Sequence, residues 1–157
     1  MIYAHAERLL FISRLSLGWL MLYAGWTKII NETWTAGPYL LAAKTLPGLF
    51  AFFASPDILP YINFANKWGL FLLGISLITG VWVRASAPLG AVLMLLYYLP
   101  VLAFPYAGHG FLVDEHVIYG LLLLVFMAQS QPFQLNEPAQ WLKRLAQSIK
   151  TRKVATL

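Results

Sequence analysis

The first apolar stretch, Leu9–Ile30, constrains the fold because it carries charge on one side of a predicted helix. At about 100° per residue, Arg14, Gly18, Gly25 and Lys28 fall on one stripe. A charged side chain in hydrocarbon costs roughly 2.5–3.5 kcal/mol and usually faces protein. Glycines on the same stripe let another backbone approach closely. We therefore predict that this stripe faces the interior of a helix bundle and not lipid.

The composition indicates a membrane protein. Of the 157 residues, 60% are hydrophobic and 11% are charged, whereas a soluble domain has about 25% charged residues. The net charge of +5 comes from cations spread along apolar segments and a short tail, which argues against a nucleic-acid partner. The sequence contains no cysteine, so it cannot itself supply a disulfide relay, an iron–sulfur cluster or a covalently attached haem.

Four apolar stretches predict an all-α fold, an integral membrane four-helix bundle. A helix crosses the roughly 30 Å hydrocarbon layer with about 20 residues. The predicted crossings are Leu9–Ile30, Asn66–Val83, a third that starts after Pro88 and runs to Phe104, and Asp114–Ala128. The fourth is the shortest, since its unbroken apolar core starts only at Val117. The bundle is expected in the plasma membrane as a multi-pass protein.

A short broken helical segment is predicted between the first two crossings. Pro47-Gly48 separates two apolar pieces, Ala36–Lys44 and Leu49–Ala54, and neither is long enough to span. We expect this segment to lie at the interface or to re-enter the bilayer, covered by protein or water. Ser55-Pro56-Asp57 is typical of a helix start, with Ser55 as the cap.

The second crossing carries three small residues on one predicted face. Gly69, Ser76 and Gly80 stand at positions i, i+7 and i+11, which places them on one side of a helix. Such a face predicts close packing against a neighbouring helix.

The C-terminal part is predicted to be a separate unit. Residues 1–135 form the membrane domain, and residues 136–157 form a cytoplasmic basic amphipathic helix on an anionic leaflet. An N-in, C-in orientation then places most of the lysines and arginines on the cytoplasmic side.

Several motifs occur in a characteristic order: Arg14-x-x-x-Gly18, Gly25-x-x-Lys28, Trp34-x-Ala36-Gly37, Trp68-Gly69, Gly74 to Gly80, Arg84-x-Ser86-Ala87 and Asp114-Glu115-His116-x-x-Tyr119. Together they resemble the DoxX/DoxD family of small four-helix membrane proteins. The resemblance implies a subunit of a quinone-linked membrane oxidoreductase. Described relatives include the large subunit of an archaeal thiosulfate:quinone oxidoreductase, which works with a second subunit. Leu70 stands where relatives often carry an acid, so the alternative is a non-catalytic accessory or assembly subunit of a larger respiratory or photosynthetic complex.

Four residues are candidate catalytic groups: His116, Asp114, Tyr119 and Arg14. Histidine exchanges protons near neutral pH, as quinone reduction requires. The guanidinium of Arg14 offers a rigid fork of donors for an anion or a quinone oxygen. The structural alternatives are a capped helix start at Asp114 and an arginine that only neutralises a neighbouring charge or reaches the interface.

Two further sets are candidates for binding. Trp34, Tyr97, Tyr98 and Arg84 are the predicted walls and donors for a quinone, the expected electron acceptor. A cluster of lysines on the outer side is predicted to attract a dianion such as thiosulfate: Lys28, Lys44 and Lys67. Lys28 has the alternative role of a plain interfacial anchor.

We predict neither a metal nor a haem. His5 is expected at the opposite membrane face from His109 and His116, and no carboxylate–histidine spacing supports a metal site. Electrons must then pass directly to quinone or through a partner protein. The expected partners are the lipid bilayer and either a second oxidoreductase subunit or a larger membrane complex, and a homo-oligomer is left open.

Overall fold

A computed structural model describes residues 2–129, which form six helices and three very short strands. The helices are α1 Ile2–Ile30, α2 Gly37–Leu41, α3 Pro47–Phe53, α4 Leu59–Thr79, α5 Val83–Val101 and α6 Glu115–Ala128. The strands are β1 Leu102–Ala103, β2 Tyr106–Ala107 and β3 Gly110–Phe111. The predicted amphipathic tail, residues 136–157, and the domain boundary at residue 135 lie outside the described residues.

The four longer helices pack as two pairs. α1 packs along α4, and α5 packs along α6, while α4 joins the pairs through a lighter contact with α5. The core between them consists of leucine, methionine, valine, alanine and phenylalanine side chains, with Leu77, Ala87 and Leu123 completely buried. The helix pairs are the frame that positions the polar residues described below.

The charged and glycine-bearing stripe of α1 faces the interior, as predicted. A Cβ added to Gly18 would lie 2.9 Å from Leu77 Cβ, and one added to Gly25 would overlap the backbone of Phe71. Arg14 is 1% exposed. Since Gly18 meets Leu77 and Gly25 meets Phe71, α1 and α4 run antiparallel. The bundle thus has a Lys28 end, where α1 finishes, and an Arg14 end, where α4 finishes and α5 begins.

Three of the four predicted crossings are helices long and apolar enough to span a membrane: α1, α4 and α5. The fourth, α6, has 14 residues and so reaches only about 21 Å at about 1.5 Å per residue. Its predicted start is confirmed, because Asp114 is the N-cap. The crossing itself stays a prediction.

Two predicted boundaries are wrong. Ser55 does not cap α4, which begins at Leu59 with Pro60 in its first turn, where the missing N–H of proline costs little. The helix ends because Gly80 adopts a left-handed conformation, with φ at 77°. Arg84 therefore belongs to the first turn of α5, and Pro88 lies inside that helix, a placement that membrane helices tolerate.

The prediction of close packing along Gly69, Ser76 and Gly80 is also wrong. A Cβ at Gly69 would meet only Leu93 Cδ2, at 3.9 Å. Ser76 lines a groove, and Gly80 ends the helix. The close contact uses Gly74 instead, where an added Cβ would overlap the backbone of Leu22. Small-residue spacing alone does not say which of two small-residue faces of α4 meets a neighbour.

The connections contain the remaining short elements. α2 and α3 occupy the stretch predicted to be broken, with Leu46 in a left-handed conformation before α3. Whether this segment re-enters the bilayer stays a prediction. The loop after α5 forms an antiparallel sheet in the order β1-β2-β3, so the fold is mostly helical but not strictly all-α.

We predict that Gly25→Ala destabilises the bundle, because the new Cβ would overlap the backbone of Phe71. Overpacking of this kind costs about 1–3 kcal/mol in the free energy of unfolding. The measurement is denaturant unfolding in detergent, and the matched control is Gly120→Ala, whose Cβ would be in ordinary contact with Met94 at 3.8 Å. Equal stability of the two variants would contradict the helix contact.

Candidate functional site

A cavity of about 310 Å³ lies at the Lys28 end of the bundle. Its walls are mostly aromatic and aliphatic, and few polar side chains reach it, chiefly those of Lys28, Asn66 and the tyrosines. The residues around it come from α1, the segment that includes α2 and α3, α4 and α5: Lys28, Trp34, Thr35, Ala36, Tyr39, Leu40, Phe50, Phe53, Ile62, Ala65, Asn66, Leu93, Leu96 and Tyr97. An apolar cavity with a few converging polar groups is the usual form of a small-molecule site.

Two lysines converge on one indole ring at this cavity. Lys28 Nζ lies 5.4 Å from the centroid of the Trp34 ring, and Lys67 Nζ lies 5.5 Å from it. Lys28 Nζ is also 5.6 Å from the ring centroid of Tyr97. These distances permit cation–π attraction. Within residues 2–129, neither lysine has a carboxylate within ion-pair distance, so their charge is available to an anionic or carbonyl oxygen.

A buried amide completes the polar part of the cavity. Tyr97 Oη donates a hydrogen bond of 2.8 Å to Asn66 Oδ1. An amide also carries two donors on its nitrogen, and no described residue accepts a hydrogen bond from Asn66 Nδ2. Asn66 is buried. The cavity wall therefore contains two groups, Lys28 Nζ and Asn66 Nδ2, that are able to donate to a ligand.

Tyr39 and Tyr97 hold α2 against α5. The hydroxyl of Tyr39 donates to the backbone carbonyl of Tyr97, and the two rings lie 6.0 Å apart. Burial raises the pKa of Tyr39 to about 12, and the nearby Tyr97 and acidic side chains add to the shift. The hydroxyl therefore remains protonated, and remains a donor, throughout the physiological range.

Asp114 and His116 form a compact pair next to this cavity. Asp114 caps α6 by accepting from the backbone N–H of His116 and of Val117. Its other oxygen lies 2.7 Å from His116 Nδ1. The imidazole stacks on the Tyr97 ring at 5.3 Å with an interplanar angle of 8°, and the Tyr119 ring lies 6.5 Å from it. Tyr97 thus separates the cavity from His116, which is partly open to the surface.

The other predicted site residues lie elsewhere. Tyr98 donates to the carbonyl of Leu112, and exposed Lys44 lines a separate cavity of about 270 Å³. Arg84 is exposed at the start of α5, about 20 Å along that helix from Tyr97. Arg14 lies about 21 Å along α1 from Lys28, buried in the core with its guanidinium 5.3 Å from the Phe11 ring centroid. Neither arginine shares a site with His116.

Asn66 and Tyr39 line the cavity but were not among the sequence-based candidates. The sequence predicts Asn66 as the first residue of a crossing, whereas α4 begins at Leu59 and Asn66 lies about two turns inside it. A polar amide inside an apolar helix is itself a signal of an inward face. Tyr39 gave no comparable signal, since aromatic residues also serve as interfacial anchors.

The structure also brings three possible metal-ligand side chains together. Ligand atoms of Asp114, Glu115 and His116 lie within 4.8 Å of one another. Both oxygens of Asp114 already accept hydrogen bonds, two at the helix start and one from the imidazole side. Helix capping thus accounts for the proximity of these side chains. That the chain binds no metal stays a prediction.

The long apolar helices and their inward polar residues define an integral membrane protein built as a small helix bundle. The model of the DoxX family matches residues 9–103. The chain belongs to that family, which confirms the resemblance drawn from its motifs. The match runs from α1 to β1, so Asp114, His116 and Tyr119 lie beyond it. No curated protein and no solved structure matches the chain.

We predict that Asp114→Ala lowers the stability of the protein by about 1 kcal/mol, the usual cost of losing an N-cap. Two backbone N–H groups and the imidazole of His116 would lose their acceptor. Thermal unfolding in detergent measures the change. Asp114→Asn is the control, because an asparagine still caps the helix, and its stability should lie closer to that of the original protein.

Proposed function

We propose that the cavity at the Lys28 end binds the headgroup of a membrane quinone, and that the chain is the membrane subunit of a quinone-linked oxidoreductase. The observation that carries the proposal is the pair of donors, Lys28 Nζ and Asn66 Nδ2, in a cavity otherwise lined by aromatic and aliphatic side chains. A quinone ring is planar and apolar with acceptor oxygens at its edge. Its chemistry matches these walls and these donors.

The residues around the cavity have distinct roles in this proposal. Lys28 and Asn66 orient the ring by donating to its oxygens, and Trp34 and Tyr97 pack against its faces. Reduction of a quinone takes up two electrons and two protons. His116 is the proton donor nearest the surface, paired with Asp114 and separated from the cavity by the Tyr97 ring. Oxidation of a reduced sulfur anion supplies the two electrons, and because this sequence has no cysteine, we propose that they reach the quinone through a second oxidoreductase subunit.

The thiosulfate part of the proposal depends on the lysines. Lys28 and Lys67 lie near the same indole ring, where their combined charge favours a dianion. Lys44 faces a different cavity, so it is not included in this anion site. We propose that a reduced sulfur anion such as thiosulfate approaches the site over Trp34 and Lys67.

We expect Lys28→Met to weaken quinone binding about tenfold or more, the scale of losing a hydrogen bond to a charged donor. The measurement is equilibrium titration of detergent-purified protein with a tailless benzoquinone, followed by quenching of tryptophan fluorescence. The matched control is Lys44→Met, which removes the same charge from the separate cavity. Equal affinities of the two variants would refute the headgroup site.

Turnover provides an independent test of the anion role. With thiosulfate and a soluble quinone, and with a co-purified partner subunit present, Lys67→Gln is expected to raise KM for thiosulfate severalfold with little change in kcat, because the charge acts on binding. The assay is quinone absorbance against time. Absence of quinone reduction by the intact complex would reject the enzyme and support the accessory-subunit alternative.

A further inference from the structure

An open apolar groove runs between α4 and α5 on the outside of the bundle. Its volume is about 610 Å³, and its walls extend along α4 from Ala65 to Thr79 and along α5 from Ser86 to Leu96. It exists because α4 packs mainly against α1 and α5 mainly against α6. Large apolar side chains form its exposed rim, among them Leu72 and Leu89.

The groove adjoins the cavity at the Lys28 end. Ala65, Leu93 and Leu96 line both. From this shared wall the groove follows α4 for about 14 residues, or about 21 Å at about 1.5 Å per residue. The long tail of a molecule whose polar head lies in the cavity would therefore find an apolar surface directly beside it.

The hydroxyl groups of the groove are already hydrogen-bonded within the protein. Ser76 Oγ donates to the carbonyl of Val81 and lies 2.6 Å from Ser86 Oγ. Thr79 Oγ1 donates to the carbonyl of Ile75. Apart from the indole N–H of exposed Trp82, the groove presents mainly carbon atoms, and it fits a hydrocarbon chain rather than a polar solute or an ion.

We propose that this groove holds the isoprenoid tail of the quinone whose ring occupies the cavity. The proposal rests on the function proposed above and names its substrate class, a membrane quinone with a long prenyl tail. Lipid chains are as apolar as the groove, so transfer of the tail from lipid supplies little hydrophobic free energy. The groove instead gives the tail a place beside the cavity while the ring packs against Tyr97 with Lys28 at its edge.

Gly69 is the position at which this groove is best blocked. It lines the groove, and a Cβ there would have only Leu93 Cδ2 within 4 Å, at 3.9 Å. Gly90 lines the groove as well, but its Cβ would lie 2.6 Å from Leu73 Cδ2 and would strain the core. Gly48→Leu is the matched control, because Gly48 belongs to α3, lines neither space and has open surroundings.

The experiment titrates purified protein with two probes, the tailless ubiquinone headgroup and the same headgroup bearing a tetraprenyl tail. We expect Gly69→Leu to lower affinity for the tailed probe about tenfold, the scale of overpacking an occupied site, and to leave affinity for the tailless probe within about twofold. Gly48→Leu should change neither. Circular dichroism checks the fold, and Gly69→Ala provides a milder variant with an intermediate effect.

Each other outcome overturns the inference. An unchanged affinity for the tailed probe in Gly69→Leu means that the tail lies elsewhere, and an equal loss for both probes means that the variant damages the cavity. Loss of co-purified phospholipid in Gly69→Leu, without an effect on the tailed probe, identifies the groove as a lipid acyl-chain site. If the cavity does not bind the headgroup, the result is different. The tailless probe then binds the original protein and the Lys28→Met variant with equal affinity.

Discussion

The backbone contact between α1 and α4 is the constraint on which the rest of the structure depends. Gly25 on α1 and Gly74 on α4 each face the backbone of the other helix, where no Cβ fits. Close approach of this kind strengthens packing between membrane helices, for which the hydrophobic effect supplies little. It also fixes the rotation of α1, which buries Arg14 and turns Lys28 toward Trp34 and Tyr97.

Because α4 packs mainly against α1 and α5 mainly against α6, the contact between α4 and α5 is lighter. α4 and α5 meet through side chains, among them Asn66 with Tyr97 and Ser76 with Ser86, and both helices line the apolar groove. At the Lys28 end, the segment containing α2 and α3 adds Tyr39, Leu40 and Phe50 to the wall of the cavity that adjoins this groove. The same helix arrangement thus accounts for an apolar groove and for a polar site beside one end of it.

Charge is placed where the bundle compensates for it. The ammonium of Lys28 lies near two aromatic rings, and Asp114 accepts from two backbone N–H groups and pairs with His116. Such compensation is needed because a charge in a poorly solvated environment is otherwise costly. It also keeps the polar groups in defined positions around the cavity, as a binding site requires.

The sequence by itself determined the membrane class, the inward stripe of α1 and the capped start of α6, because these follow from local hydropathy, helical periodicity and a single capping side chain. It also carried enough ordered motifs to indicate the DoxX family. Only the tertiary structure decided that Gly74, and not Gly69, meets α1, and that Trp34, Asn66, Tyr97 and Lys28 share one cavity while Lys44 and Arg84 do not. The reason is that periodicity gives the face of a helix, whereas the choice among faces and the convergence of residues distant in sequence depend on how several helices pack at once.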